Sequence, residues 1–325
     1  MTFAHLLAIA WSPDPSVFGG SVALLVAYLA WLRGRVGPRA LVFVAGVGVL
    51  LFALVGPLDR IGELYLFSVH MLQHLLLILV VPPLLLWGLP VDATRRLLDI
   101  GLVRRLEGVV GRPLVALPVA IVTLWAWHLP ALYDVALRNE SVHALEHLMF
   151  LVTATMFWWP VLTPLRERRL SPPVAMAYLF AGMASDAGLG VTLTFAPTPL
   201  YPFYAHPPDP YGVLPLIRDT WHVTQLQDQQ MGGLAMWIPG GIFYIVAILV
   251  EFGLWFGEPD SDEDVTVRNT PRPGTPLPEP ALAGRERATR PSGASSHAAI
   301  AADDAPCPTP RHEPAALRGI LEGAR

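Results

Sequence analysis

No lysine occurs in the 325 residues; all 22 basic side chains are arginine. Charge of either sign is scarce, at 15% of residues, where soluble globular chains carry roughly a quarter. With 53% apolar residues and a mean hydropathy of +0.48, this composition argues against a cytosolic enzyme and points to lipid as the main solvent. Cysteine is nearly absent: Cys307 alone excludes an intrachain disulfide and any cysteine-built metal centre within one chain. The net charge of −4 and the dispersed arginines give no nucleic-acid-binding face. Histidine stands out against these shortages, with ten copies to one cysteine.

The chain divides into two unlike parts. Residues 258–325 are rich in proline, alanine and charge, a composition that cannot bury enough apolar surface to offset its ordering entropy, and they read as a disordered cytoplasmic tail. Residues 1–257 form the membrane domain, an all-α polytopic bundle of about seven spans near 17–32, 40–58, 64–87, 114–129, 142–162, 174–196 and 234–256. Residues 1–11 lack a basic leader and a cleavage-like site, so they do not read as a signal peptide. One set of loops holds eleven arginines, from Arg33 to Arg169, and the other holds only Arg60, Arg138 and Arg218. The asymmetry predicts that the first set faces the cytoplasm, with the N-terminus outside and the C-terminus inside.

On this map the eight histidines that precede the tail all fall in the outer half: His5, His70, His74, His128, His143, His147, His206 and His222. Two of the places are copies. The third span reads SVHMLQHL at 68–75 and the fifth reads SVHALEHL at 141–148, identical at six of eight positions. Histidines at i and i+4 share one helix face, flanked by the residue at i+3, here Gln73 or Glu146. Helix rise places His70 and His74 about 9 and 15 Å below the start of the third span. Two imidazole pairs inside lipid are costly, which favours a metal site over two interfacial caps.

Other polar groups in the spans carry less information. Asp186 lies near mid-depth of the sixth span and needs a partner, a proton or a cation; a structural and a functional role are equally open. Glu146 could pair with an imidazolium, orient a ligating histidine or bind the ion itself, and Gln73 occupies the same place in the copy. Met71 and Met231 are the methionines placed to act as soft ligands. Imidazole with thioether and no external thiolate fits copper best, with zinc or haem iron as alternatives.

The segments HMLQH, WHLPALYD, HALEHLMFL and DQQMGGLAMWIPGG, together spanning about residues 65–256, resemble the CtaG-type cytochrome c oxidase assembly factors. The resemblance implies a multi-pass protein of the bacterial plasma membrane. It also implies a partner, the catalytic subunit of a haem–copper oxidase, and a role in forming its copper centre. The matching positions are His70, His74, His128, His143, His147 and the run Asp228, Gln229, Gln230, Gly232 and Gly233; His206 and His222 inherit nothing from it. The expected arrangement is non-enzymatic. The two paired-histidine helices pack together, His128 closes the site, Gln73 and Glu146 orient the imidazoles, and Asp228 with Gln229 or Gln230 gates the site or meets the partner.

Rival readings remain. His70 with His147 could hold haem in an electron carrier. HALEH fits the H-x-x-E-H pattern of a metalloprotease, although Gln73 in the copy cannot act as a base. A copper transporter and a metal-free scaffold complete the set.

Overall fold

The computed structural model describes residues 10–11, 14–34 and 37–257. His5, Cys307 and the tail at 258–325 lie outside the described residues. Proline sets most helix starts. Helices α1 (Pro15–Leu32), α2 (Pro38–Val55), α3 (Pro57–Leu64), α7 (Pro113–Trp127), α8 (Pro130–Arg138) and α10 (Pro172–Thr194) all open on it. Its missing N–H is unneeded there, and its fixed φ already suits the helix. The remaining helices are α4 (Phe67–Trp87), α5 (Val91–Leu98), α6 (Gly101–Val110), α9 (Glu140–Leu162) and α11 (Gln225–Phe256). Strands are absent among the described residues.

Among the described residues, six helices are long and apolar enough to cross a membrane, or seven if the bent pair α6 and α7 counts as one span. The fourth expected span, near 114–129, corresponds to α7 within this bent pair. Helix α7 has 15 residues, about 22 Å at helical rise, which is shorter than a hydrocarbon core. It meets α6 at 70°, across Gly111 and Arg112, where Pro113 starts a new helix. Helix α6 exposes Leu102, Leu106 and Val109 along one side, the pattern of a helix lying in a membrane interface. At the same end of the bundle Arg95 pairs with Glu167 at 3.3 Å, Arg168 pairs with Glu107, and Arg96 Nη2 donates to Trp31 O at 3.2 Å.

Helices α4 and α9 form the centre. Within α4's most apolar window 56% is buried, against 17% for α1, whose leucines and valines face outward to lipid. Two prolines, Pro82 and Pro83, sit inside α4, and the chain relaxes by widening its turns at Leu76–Val80. Pro82 cannot donate to the carbonyl of Ile78, and Trp158 Nε1 of α9 takes that oxygen at 2.9 Å. The broken backbone ladder of one central helix is thus repaired by a side chain of the other. Helix α11 carries a matching wide stretch, Met236–Gly240, around Pro239. It packs against α10 so closely that a Cβ on Gly233 would lie 2.7 Å from Gly190 O.

The third span begins at Phe67, three residues later than expected, because Tyr65 and Leu66 break the chain between α3 and α4. His70 and His74 are accordingly closer to the helix start, at about 5 and 10 Å by helical rise. The last span begins at Gln225 rather than 234, and takes the DQQMGG run into the helix.

Candidate metal centre

Local structure fixes the two histidine-bearing turns from several directions. Asn139 caps α9, its side-chain oxygen accepting from Ser141 N at 3.0 Å and Val142 N at 3.2 Å. This places His143 in the first turn and His147 one turn deeper. The start of α4 is capped from another helix: Asp228 of α11 accepts from Phe67 N at 2.7 Å, Ser68 N at 3.1 Å and Ser68 Oγ at 2.5 Å. On its other side α3 lies against His70. A Cβ on Gly62 would sit 2.8 Å from His70 Cα, so only glycine allows this approach.

These constraints bring four imidazoles and one carboxylate into a single buried cluster. His70, His74, His143, His147 and Glu146 are all less than a tenth exposed. Ring centroids are 4.4 Å apart for His70 and His74, 4.2 Å for His143 and His147, 5.1 Å for His70 and His143, and 5.4 Å for His74 and His147. Glu146 Oε1 is 3.7 Å from His74 Nε2. Two sets of three potential ligands have their donor atoms within 4.8 Å of one another: His70, His74 and His147, and His70, His143 and Glu146. The sets share His70.

The atoms at the centre have no hydrogen-bond partner in the protein. His70 Nε2, both ring nitrogens of His74, His143 Nε2, His147 Nε2 and both oxygens of Glu146 are buried without a hydrogen bond. Each such group costs about 1–3 kcal/mol if left unsatisfied, and natural proteins rarely leave clusters of them. Lone pairs converging from two helices, with a carboxylate beside them, suit a cation.

The surroundings supply order on one side. Tyr204 donates to Gly62 O at 2.7 Å and is 3.1 Å from the Tyr133 hydroxyl. With its proton on Gly62, the Tyr204 oxygen can accept from His70 Nδ1 at 3.4 Å, which leaves Nε2 as the lone pair facing the cluster. Burial pushes the phenols of Tyr201 and Tyr204 upward, so both remain donors, Tyr201 to His128 O at 2.9 Å. Neither tyrosine is singled out by sequence, because their loop shares no pattern with the paired-histidine spans. Glu63 is the other residue that sequence reasoning misses: its Oε1 lies 4.0 Å from His143 Nδ1.

Several expected residues lie elsewhere or act differently. His128 borders the cluster, 5.6 Å from the His74 ring, yet belongs to neither set. Its Nδ1 donates to Leu124 O at 2.7 Å, and Nε2 faces Met71 Sδ at 3.2 Å. Gln73 turns away from the imidazoles, and its amide nitrogen donates to Ala53 O at 3.0 Å and Asp59 Oδ1 at 2.9 Å. Asp228 and Gln229 both tie α11 to distant segments of the chain. The first caps α4; the second accepts from Leu200 N at 2.6 Å and donates to Leu193 O at 3.3 Å. Gln230 is half-buried beside them. Met231 is 53% exposed on the outer side of α11, away from the cluster. Asp186 lines a separate cavity of about 30 Å³ beside Tyr244, and the hydroxyl of its neighbour Ser185 accepts from Trp125 Nε1 at 3.0 Å. His206 and His222 are exposed.

The chain is similar to known sequences over most of its length. Residues 23–258 match the family described as cytochrome c oxidase caa3 assembly factor. Two relatives are the uncharacterized proteins Mb0105 of Mycobacterium bovis and MT0111 of Mycobacterium tuberculosis, each 25% identical over 287 residues. The match covers 78% of this chain but only 40% of each relative, so the chain spans well under half of their length. No solved structure matches.

Proposed function

From the premise that the chain belongs to the cytochrome c oxidase caa3 assembly factor family, we propose that it carries copper in the plasma membrane of a bacterium. It would hold the ion at the outward-facing histidine cluster and deliver it to the catalytic subunit of a haem–copper oxidase. The observation that supports this most is the pair of overlapping ligand sets, built from buried side chains whose donor atoms have no protein partner.

Donor chemistry favours copper as the cargo. One set is three imidazoles; the other exchanges two of them for His143 and the Glu146 carboxylate. Imidazole accepts copper in either oxidation state, and the nearby Met71 thioether biases the surroundings toward Cu(I). A monovalent ion beside ionised Glu146 is neutral overall, which limits its desolvation cost in a membrane interior. Because His70 belongs to both sets, an ion can pass from one to the other without leaving that ligand. The close packing of the His74 and His143 rings against His70, at 4.4 and 5.1 Å, supports a small ion over haem.

Single alanine substitutions at His70, His74, His143 and His147 test the reading. Copper bound to the purified protein and copper in the host oxidase are measured together. His70→Ala is expected to lose both, since it removes the shared ligand. His143→Ala should keep the three-imidazole set and show a milder loss. Unchanged copper in both proteins for every variant would refute the copper reading and leave a metal-free scaffold.

A further inference from the structure

A cavity of about 580 Å³ opens between α1, the α2–α3 corner and α9. At about 30 Å³ per molecule it has room for roughly 20 waters. Its deeper walls are apolar, from Leu24, Leu50, Leu77 and Leu151. Carboxylates from Asp14, Glu63 and Glu140 line it beside the guanidinium of Arg60. His143 and His147 line it too, each more than nine-tenths buried, each with an Nε2 that has no partner. His70 and His74 do not line it. The cluster therefore presents one edge to this cavity, while His70 packs against the buried Tyr133 and Tyr204.

Glu63 stands between the two environments. Its Oε2 pairs with Arg60 Nη1 at 3.1 Å, and its Oε1 faces His143 Nδ1 at 4.0 Å. We infer that this cavity is the vestibule through which a cation is loaded, with Glu63 the group that transfers it from water to His143. This rests on the cation-carrying function proposed above and adds the route. A carboxylate-rich mouth concentrates cations. An oxygen ligand that is only half committed to Arg60 can take an ion that is shedding water and release it to imidazole. The ion then meets His143 first, the shared His70 next, and the three-imidazole set last.

A transfer group speeds loading and unloading alike, so its loss slows both rates and leaves equilibrium affinity in place. The test uses the full chain in detergent and Cu(I) offered as a weak chelate, with uptake followed by stopped flow and affinity by competition. Glu63→Gln is expected to slow uptake at least tenfold, with stoichiometry and affinity within twofold of the unsubstituted protein. Ala144→Trp, which fills the vestibule from α9 and replaces none of the cluster residues, is expected to slow uptake similarly. Uptake at the original rate in Ala144→Trp would overturn the route. Lost affinity at an unchanged rate in Glu63→Gln would overturn the transfer role. If the unsubstituted protein binds no Cu(I), the carrier function itself fails, which is a different result from either of these.

Discussion

Removing Asp228 should loosen the histidine helix without touching a histidine. Its carboxylate is fully buried and receives two backbone N–H groups and one hydroxyl from the first turn of α4. Asp228→Ala removes a cap, typically about 1 kcal/mol, and strands the Phe67 and Ser68 amides at about 1–3 kcal/mol each. A loss of about 3 kcal/mol in stability is expected. The damage is local, because His70 N makes one of the first backbone bonds of this helix, to Leu66 O at 3.2 Å. If binding has to restore half of that order, copper affinity falls about tenfold. Asp228→Asn keeps one acceptor oxygen and should lose about 1 kcal/mol. Tryptophan fluorescence during denaturation in detergent reads the stability, and a Cu(I) competition titration reads the affinity. Unchanged stability in Asp228→Ala would refute the capping role. If oxidase copper fell at the same time, the residue would belong to a partner surface instead.

Three other outcomes are expected. Gly62→Ala places a methyl 2.8 Å from His70 Cα and 2.9 Å from His70 N; the backbone must separate, at about 1–3 kcal/mol, with weaker copper binding seen in the same titration. Trp158→Phe leaves the Ile78 carbonyl unpaired and should lower stability by about 1–3 kcal/mol, with copper stoichiometry retained. Glu146→Gln should keep the three-imidazole set but leave a bound monovalent ion uncompensated, so Cu(I) affinity falls by more than tenfold in the competition assay.

The copied octapeptide makes the heart of the site legible in the sequence itself, since i, i+4 spacing alone puts each pair on one face. What remains hidden comes from contacts between distant segments. The capping by Asp228 is hidden because its partners, Phe67 and Ser68, lie about 160 positions away. Glu63 and Tyr204 reach the histidines from a short helix and an irregular loop, neither with any periodicity to read. Met231 looks like a ligand only through its neighbours Asp228 and Gln229. Successive helical residues differ by about 100°, and that turns it outward while Gln229, Gly232 and Gly233 face in. The short α7 follows from Pro113, whose helix-starting role is legible; the 70° bend ahead of it depends on packing. Composition carries the fold class, and repetition carries the site.

The widened turns of α4 have a consequence for registry. A wide turn inserts the equivalent of one extra residue, so the halves before and after Leu76–Val80 are rotated by about 100° relative to an uninterrupted helix. The widened stretch itself is keyed to α9 by Trp158 at Ile78 O, the half beyond it packs against α2, and the half ahead of it carries His70 and His74. The imidazoles therefore point at His143 and His147 only because of a count of residues several positions away. Deleting one leucine of that stretch would leave every ligand present and every apolar face plausible, yet swing both imidazoles about a quarter-turn off their partners. Length, as much as chemistry, sets where this helix points its histidines.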